Sequence, residues 1–420
     1  MAAVITLLSG CSGFSLTIEN MLAPPKLTDE QAEIYAALLS GKGGSIDLSY
    51  PKSGVYRSAF VLVNLDDEPT DEALVFYRTD GSANESTLRI NFLDQKDGSW
   101  QSVYDMSASG TEVESVAFEK LSGDSGINII ISYSVLSQTD RAMSVLRYSD
   151  GIPSEVFRGS YVYFELLDAG RDGLNEIFLI NYNSALGYCS ASLLGWSGGK
   201  FTALSSVPLH KEAVSFLKTT VTETENDETA LFIEYGKGDN SYGTEILRCY
   251  GNNLTAMSFT DEELTRRVNT FTPMLFCSDI DGDGTLEIPT TTPSLGYENL
   301  TKPEQLYQTV WYQFKDNELE QEYVTFVSIK NDYIFKIPSR WQGFVTVSVN
   351  GDEVSFSEYT DSGEVLLSVL TAEKGTDPGG AWTLYDSAAS DEYNYYVMCG
   401  ASENPMLLTD AELRDCFLFV

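Results

Sequence analysis

A chain of 420 residues exceeds a typical domain roughly two- to threefold, so two or more folded units are expected. Hydrophobic residues at 43% and aromatics at 12% are ample for real cores, which excludes wholesale disorder. The 26 Lys and Arg against 62 Asp and Glu leave a net charge of −36; this repels phosphate backbones and excludes nucleic acid as a partner, leaving cations, basic surfaces and neutral polymers.

The first eleven residues read M-A-A-V-I-T-L-L-S-G-C. Leu8, Ser9, Gly10 and Cys11 match the lipobox of bacterial lipoprotein signal peptides, in which small residues after an apolar run fit the peptidase cleft. The freed Cys11 thiol then carries diacylglycerol. No basic residue precedes the apolar run, as a signal peptide requires, which points to a true start upstream. No other segment reaches the ~18 apolar residues of a membrane span. The expectation is an exported protein, lipid-anchored at Cys11 to the outer face of the bacterial cytoplasmic membrane, with residues 1–11 as signal segment.

Residues 12–45 form a linker and a tether helix. Thr28 with Gln31 makes a capping box, Asp29 and Glu30 suit the first turn, and Ile34, Tyr35, Leu38 and Leu39 share one apolar face. From 46 to 327, short apolar runs alternate with turns rich in Gly, Asn, Asp and Ser. A unit of apolar strand, acidic loop and three further strands recurs near residues 58, 114, 161, 213 and 272, roughly every 50 residues. Four strands at that period predict a β-propeller-like domain of about five four-stranded blades. F-T-D-E-E-L-T-R-R and the K-P-E-Q-L-Y region are the helix-like exceptions. Residues 328–420 break the period and predict a small α+β domain. There Asn350-Gly351 signals a type I′ hairpin, and T-D-A-E-L-R-D-C-F a short helix capped by Thr409 or Asp410.

The most informative motif is D-I-D-G-D-G-T-L-E. Asp279, Asp281 and Asp283 stand at positions one, three and five, Gly284 permits a sharp turn at six, Thr285 offers a backbone carbonyl at seven, and Glu287 closes at nine. Hard oxygen donors in this number suit calcium. An EF-hand is excluded, because position twelve is Thr290 and the flanks are strands. The spacing resembles the calcium loops of FG-GAP and VCBS-type β-propeller repeats, found in integrin α-chains and bacterial surface proteins. That resemblance implies a structural calcium between the first two strands of a blade. Two other copies keep part of the pattern: Asp168, Asp172, Gly173 and Glu176 in the third, with Gly170 at position three, and Asn64, Asp66, Glu68 and Glu72 in the first. The second and fourth copies lack it. Asp-Gly pairs that merely form tight turns are the competing explanation.

Chemistry beyond the cation is sparse. His210 is the single histidine and reads as a loop residue, which leaves little room for histidine catalysis. Cys189, Cys249, Cys277, Cys399 and Cys416 are odd in number and read as buried free thiols. No G-x-S-x-G elbow, Walker loop or dinucleotide fingerprint occurs. The expectation is therefore a non-catalytic binding or scaffolding protein that meets a protein or glycan ligand at the cell surface. The alternative is an extracellular carbohydrate-active enzyme or glycan-binding module using acidic and aromatic rim residues. Trp196, Trp311, Trp341 and Trp382 would then stack sugars unless they are core.

Overall fold

The computed structural model describes residues 27–40, 46–66, 68–79, 88–123, 126–135, 141–149, 151–183, 187–223, 228–238, 241–257, 275–315, 318–361, 363–400 and 403–419. The lipobox and the F-T-D-E-E-L-T-R-R segment lie outside them. The chain is mainly β, with propeller-type four-stranded sheets and a separate C-terminal sheet. It divides into two compact units, Met1–Ser160 and Tyr161–Val420.

In the first unit, α1 (Asp29–Ser40) begins with the expected box: Thr28 Oγ1 accepts the Gln31 N–H and Gln31 Oε1 accepts the Thr28 N–H, each at 3.2 Å. The first sheet holds β1 (Ile46–Leu48), β2 (Phe60–Val63), β3 (Glu72–Thr79), β4 (Leu88–Lys96) and β5 (Ser99–Ser107). Here β1 and β2 share one edge of β3, against its C-terminal and N-terminal halves respectively. The second is the antiparallel meander β6 (Glu112–Glu119), β7 (Asn128–Ser134), β8 (Arg141–Ser149) and β9 (Ile152–Tyr161). Leu74 and Phe76 of β3 join Ile129, Ile131 and Tyr133 of β7 in one core, while Ala73, Val75 and Tyr77 pack against Ile34 and Leu38 of α1 in another. The tether helix thus covers the far face of the first sheet. Strand side chains alternate between faces, so a strand buried on both sides reads as an unbroken apolar run.

The second unit repeats this arrangement. Its meanders are β10 (Tyr163–Leu167), β11 (Glu176–Asn183), β12 (Tyr188–Ser197) and β13 (Lys200–Pro208), then β14 (Ala213–Glu223), β15 (Thr229–Lys237), β16 (Tyr242–Tyr250) and β17 (Asn253–Ala256). Leu231 and Ile233 of β15 face Phe178 and Ile180 of β11; Ala230 and Phe232 face the next sheet. That next sheet contains β18 (Glu287–Pro293), β19 (Tyr307–Lys315), β20 (Glu318–Ser328) and β21 (Tyr333–Lys336). The strand expected before its acidic loop is reduced, among the described residues, to a single bridge between Ser278 and Glu287.

The C-terminal sheet follows, with β22 (Val345–Asn350), β23 (Glu353–Glu358), β24 (Val365–Glu373), β25 (Thr383–Asp386) and β26 (Tyr393–Cys399) in the order 22-23-24-26-25. After α2 (Asp410–Cys416), which Thr409 caps, β27 (Phe417–Phe419) returns to pair with β21. The fifth propeller-type sheet therefore takes strands from both sides of residue 327. Asn350 pairs with Glu353, so Gly351 and Asp352 form the hairpin turn, one residue further along than the Asn-Gly signal implies. Only Gly351 has positive φ (65°), the pattern of a II′ turn rather than the expected I′, which needs it at both positions. The K-P-E-Q-L-Y region yields one 3₁₀ turn, Lys302–Glu304. Trp311 and Trp341 are core, 1% and 0% exposed, with indole N–H groups donated to Thr325 Oγ1 and the Met406 carbonyl. Trp196 and Trp382 are half-buried. Four cysteines are buried free thiols as expected, but Cys399 is exposed, because it ends β26 at the sheet margin.

Replacing Phe232 with Ala should cost about 3–5 kcal/mol in urea unfolding, because the strand cannot collapse onto the cavity with cores on both faces. Tyr250→Ala, at a site 71% exposed, should cost under about 0.5 kcal/mol.

Candidate functional site

Loop 279–287 enters β18 from Cys277, whose backbone N–H donates to Glu234 Oε1 at 2.7 Å. Asp279 organises the turn. Its Oδ1 accepts the N–H groups of Gly282 (2.7 Å) and Asp283 (3.1 Å), and its Oδ2 that of Gly284 (2.9 Å). Gly284 holds φ at 90°, which only glycine adopts without strain. Asp283 Oδ1 accepts the Thr285 N–H at 2.7 Å. Carboxylate oxygens of Asp279, Asp281 and Asp283, all exposed, then lie within 4.8 Å of one another. Among the described residues this is the one group of three such ligands so placed.

Glu287 lies behind them, fully buried. Its Oε2 accepts the Ile280 N–H (2.9 Å) and its Oε1 the Gln313 amide (2.6 Å), so both oxygens brace the loop. The same amide donates to Asp283 Oδ2 (3.0 Å), and the Tyr323 hydroxyl donates to Asp281 Oδ2. The Gln313 amide, then the Thr285 N–H, hold the Asp283 carboxyl below its ordinary pKa, whereas burial raises that of Glu287. Three carboxylates this close repel one another, and a hard cation would relieve that repulsion. Gln313 and Tyr323 were not legible from the motif; their signal is strand register, since Glu287 pairs with Gln313.

The third-copy loop has the same skeleton. Asp168 accepts the N–H groups of Asp172 (3.1 Å) and Gly173 (3.0 Å), Asp172 accepts that of Leu174 (3.0 Å), and Glu176 those of Ala169 (2.9 Å) and Gly170 (3.1 Å). With Gly170 at position three it brings two carboxylates, not three, to the turn. In the first copy, Glu72 accepts the Leu65 N–H at 2.6 Å, and Asn64 spends its amide on the carbonyls of Glu68 and Thr70. Asp66 accepts the Glu68 N–H at 3.4 Å. The second copy keeps the brace as well: Asn128 Oδ1 accepts the Leu121 N–H at 3.2 Å. A buried acceptor at position nine is thus shared by four of the five copies. Cys11 lies outside the described residues.

A second feature was not foreseen. His210 sits on the turn between β13 and β14, where its backbone N–H donates to Glu245 Oε2 on β16 at 2.9 Å. Its Nδ1 accepts the Glu212 N–H at 3.3 Å, which places the ring proton on Nε2, and the ring stacks on Tyr235 at 5.7 Å. Burial, then the Lys237 charge, lowers the imidazole pKa; burial raises that of Glu245. A cleft of about 510 Å³ opens here, lined by Tyr188, Leu209, His210, Lys211, Glu212 and Glu245. Among the described residues, His210 Nε2 and the second Glu245 oxygen have no partner.

No family model matches the chain, and no curated protein matches it. Solved structures that it resembles include an exo-β-1,3-galactanase from Phanerochaete chrysosporium, 9% identical over 80% of this chain and 83% of that one, TM-score 0.28. Another is an α-L-arabinofuranosidase from Fusarium graminearum, 10% identical over 85% and 98%, TM-score 0.28. A third is a rhamnogalacturonan lyase from Bacillus licheniformis, 11% identical over 86% and 92%, TM-score 0.32. These are carbohydrate-active enzymes, and on that finding the expectation of a non-catalytic binding or scaffolding protein is withdrawn. Likeness at these TM-scores assigns no activity to this chain.

Glu234, buried beside Cys277, has its pKa raised by burial from 4.5 to about 7. The folded chain therefore keeps a proton that the unfolded carboxyl loses, and stability present below pH 4.5 is lost as pH rises through about 7. Melting temperature should fall across that interval. Glu234→Gln should flatten the fall without abolishing it, since Glu72 titrates in the same direction, also at about 7.

Proposed function

We propose that this chain is an exported, carbohydrate-directed protein of β-propeller type, with a structural calcium ion in loop 279–287. The observation that carries the carbohydrate assignment is the His210 cleft. His210, Glu245, Tyr188 and Lys211 line it beside the apolar Leu209. Donors and acceptors around an apolar floor suit a hydroxyl-rich ring. A net charge of −36 disfavours a polyanionic ligand and leaves neutral saccharides as the favoured class. With the buried tryptophans unavailable, stacking falls to tyrosine. Glu245, with its pKa raised, and Glu212 supply the acid and base roles that glycosidic cleavage needs.

The calcium assignment rests on donor chemistry. Asp279, Asp281 and Asp283 would hold the ion, with the Thr285 carbonyl as the fourth donor and Glu287 bracing the loop from behind. Bound there, calcium would supply charge neutralisation and loop rigidity. The FG-GAP/VCBS-like spacing supports the same proposal, and lipidation at Cys11 would place the protein at the outer face of the membrane.

One imidazole makes the test direct. In protein carrying ¹⁵N-histidine, neutral saccharides such as galactose or arabinose should move the His210 resonances saturably, and Glu245→Gln should weaken the effect at least about tenfold. Nitrophenyl glycosides then separate turnover from binding alone. Neither a resonance shift nor calorimetric heat with any saccharide would overturn the assignment. Asp281→Ala should remove one calcium site and its thermal stabilisation.

A further inference from the structure

Buried oxygen atoms that lack a donor gather at one place in the first unit. Glu72 Oε1, Asp94 Oδ1 and the Tyr148 hydroxyl are each shielded from solvent without a hydrogen-bond partner. Glu72 is fully buried and Tyr148 is 3% exposed. The pairing of Ala73 with Leu93 places Glu72 directly across from Asp94, so both side chains leave the same face of the sheet. Phe92, two residues before Asp94 and on that face, stacks on the Tyr148 ring at 5.7 Å. The phenol therefore lies beneath the carboxyl pair, and after burial the charges acting on it are Glu72, Asp94, Asp66 and Glu68, all negative. Among the described residues the cation at hand is Lys96, which reaches only the other Asp94 oxygen, at 3.9 Å, from an exposed position.

Two other blades place a donor-bearing residue at the equivalent position, while in the third the pairing of Ile177 with Leu194 sets Gly195 across from Glu176. Across from Glu287 stands Gln313, whose amide satisfies Glu287 Oε1 at 2.6 Å. Across from Asn128 stands Arg147. The first blade instead presents a second carboxylate, and unsatisfied buried oxygens of like charge are costly.

We infer that a hard divalent cation of the calcium type occupies this pocket, held by Glu72 Oε1, Asp94 Oδ1 and the Tyr148 hydroxyl. The ion does for Glu72 what the Gln313 amide does for Glu287. The site is separate from loop 279–287 and stands or falls independently of it.

The experiment uses the full chain carrying Asp281→Ala, so that loop 279–287 is silent, and titrates calcium by calorimetry and melting temperature. One saturable site should remain. Adding Asp94→Asn should weaken it at least about tenfold, the scale of lost metal-site partners. The same change should raise the melting temperature without calcium, because an amide can donate to Glu72 as Gln313 does to Glu287. Terbium in place of calcium should be sensitised by the nearby phenol, and Tyr148→Phe should remove that luminescence while preserving the fold. Calcium uptake unchanged by Asp94→Asn would overturn the inference. So would the absence of any calcium response in Asp281→Ala, the result expected if the two carboxyls share a proton.

Discussion

The structure depends on burying the second strand of each blade on both faces. No single four-stranded sheet can do this for itself; Leu231 and Ile233 need the sheet before them, Ala230 and Phe232 the sheet after. At the first sheet, where α1 lies on one face, the helix supplies that cover through Ile34 and Leu38. Alternate residues of one short strand thus link successive cores within each unit. Burying a Phe or Ile side chain contributes roughly 1.5–3 kcal/mol, and each blade repeats that gain several times over.

That constraint also sets where polar chemistry can enter. Inside a strand with two apolar faces a carboxylate is costly, as the raised pKa of buried Glu234 shows, and its favoured place is the strand's end, where the loop supplies N–H donors. Glu72, Glu176 and Glu287 occupy that place, and Asn128 performs the task without charge. The acid at position nine therefore belongs to the strand's burial as much as to the loop's cation chemistry. Whether further carboxylates converge in front of it varies from blade to blade: three in loop 279–287, fewer elsewhere. Turn chemistry and cation chemistry coexist in one motif. Asp279 holds three backbone N–H groups and still keeps its carboxylate beside two others.

Much of the fold was legible because it is local. Apolar runs of four to seven residues at a steady period gave the blades; the capping box at Thr28 gave the first helix start, and the second was read to within a residue, with Thr409 or Asp410 as cap. What escaped was long-range or a matter of register. Nothing near Phe417 announces that it pairs with Phe335, and the turn at Gly351 differs from its Asn-Gly signature by one residue. The aspartates of the site were readable from spacing, while Gln313 and Tyr323 reach it only through strand pairing and packing, as Asp94 and Tyr148 reach Glu72 in the first unit. The tryptophans show the limit of composition: size drew Trp311 and Trp341 into the core, and no local pattern separates a stacking platform from a core plate. His210 looked inert as a loop residue, and the cleft around it comes from Tyr188 and Glu245, 22 and 35 positions away.

The return of β27 to β21 has a consequence for the order in which the chain acquires structure. Most described strand pairs zip from their own turn, and β1 with β3 and β24 with β26 close over a single intervening strand, but this pair must close over residues 337–416, which contain the whole C-terminal sheet. Closing so long a loop costs little more once its interior is already compact, because the ends are then held near each other. The C-terminal sheet therefore serves as a preformed spacer. Its assembly sets the moment at which the fifth sheet gains its last strand, making this pairing the natural slow step in the second unit's folding.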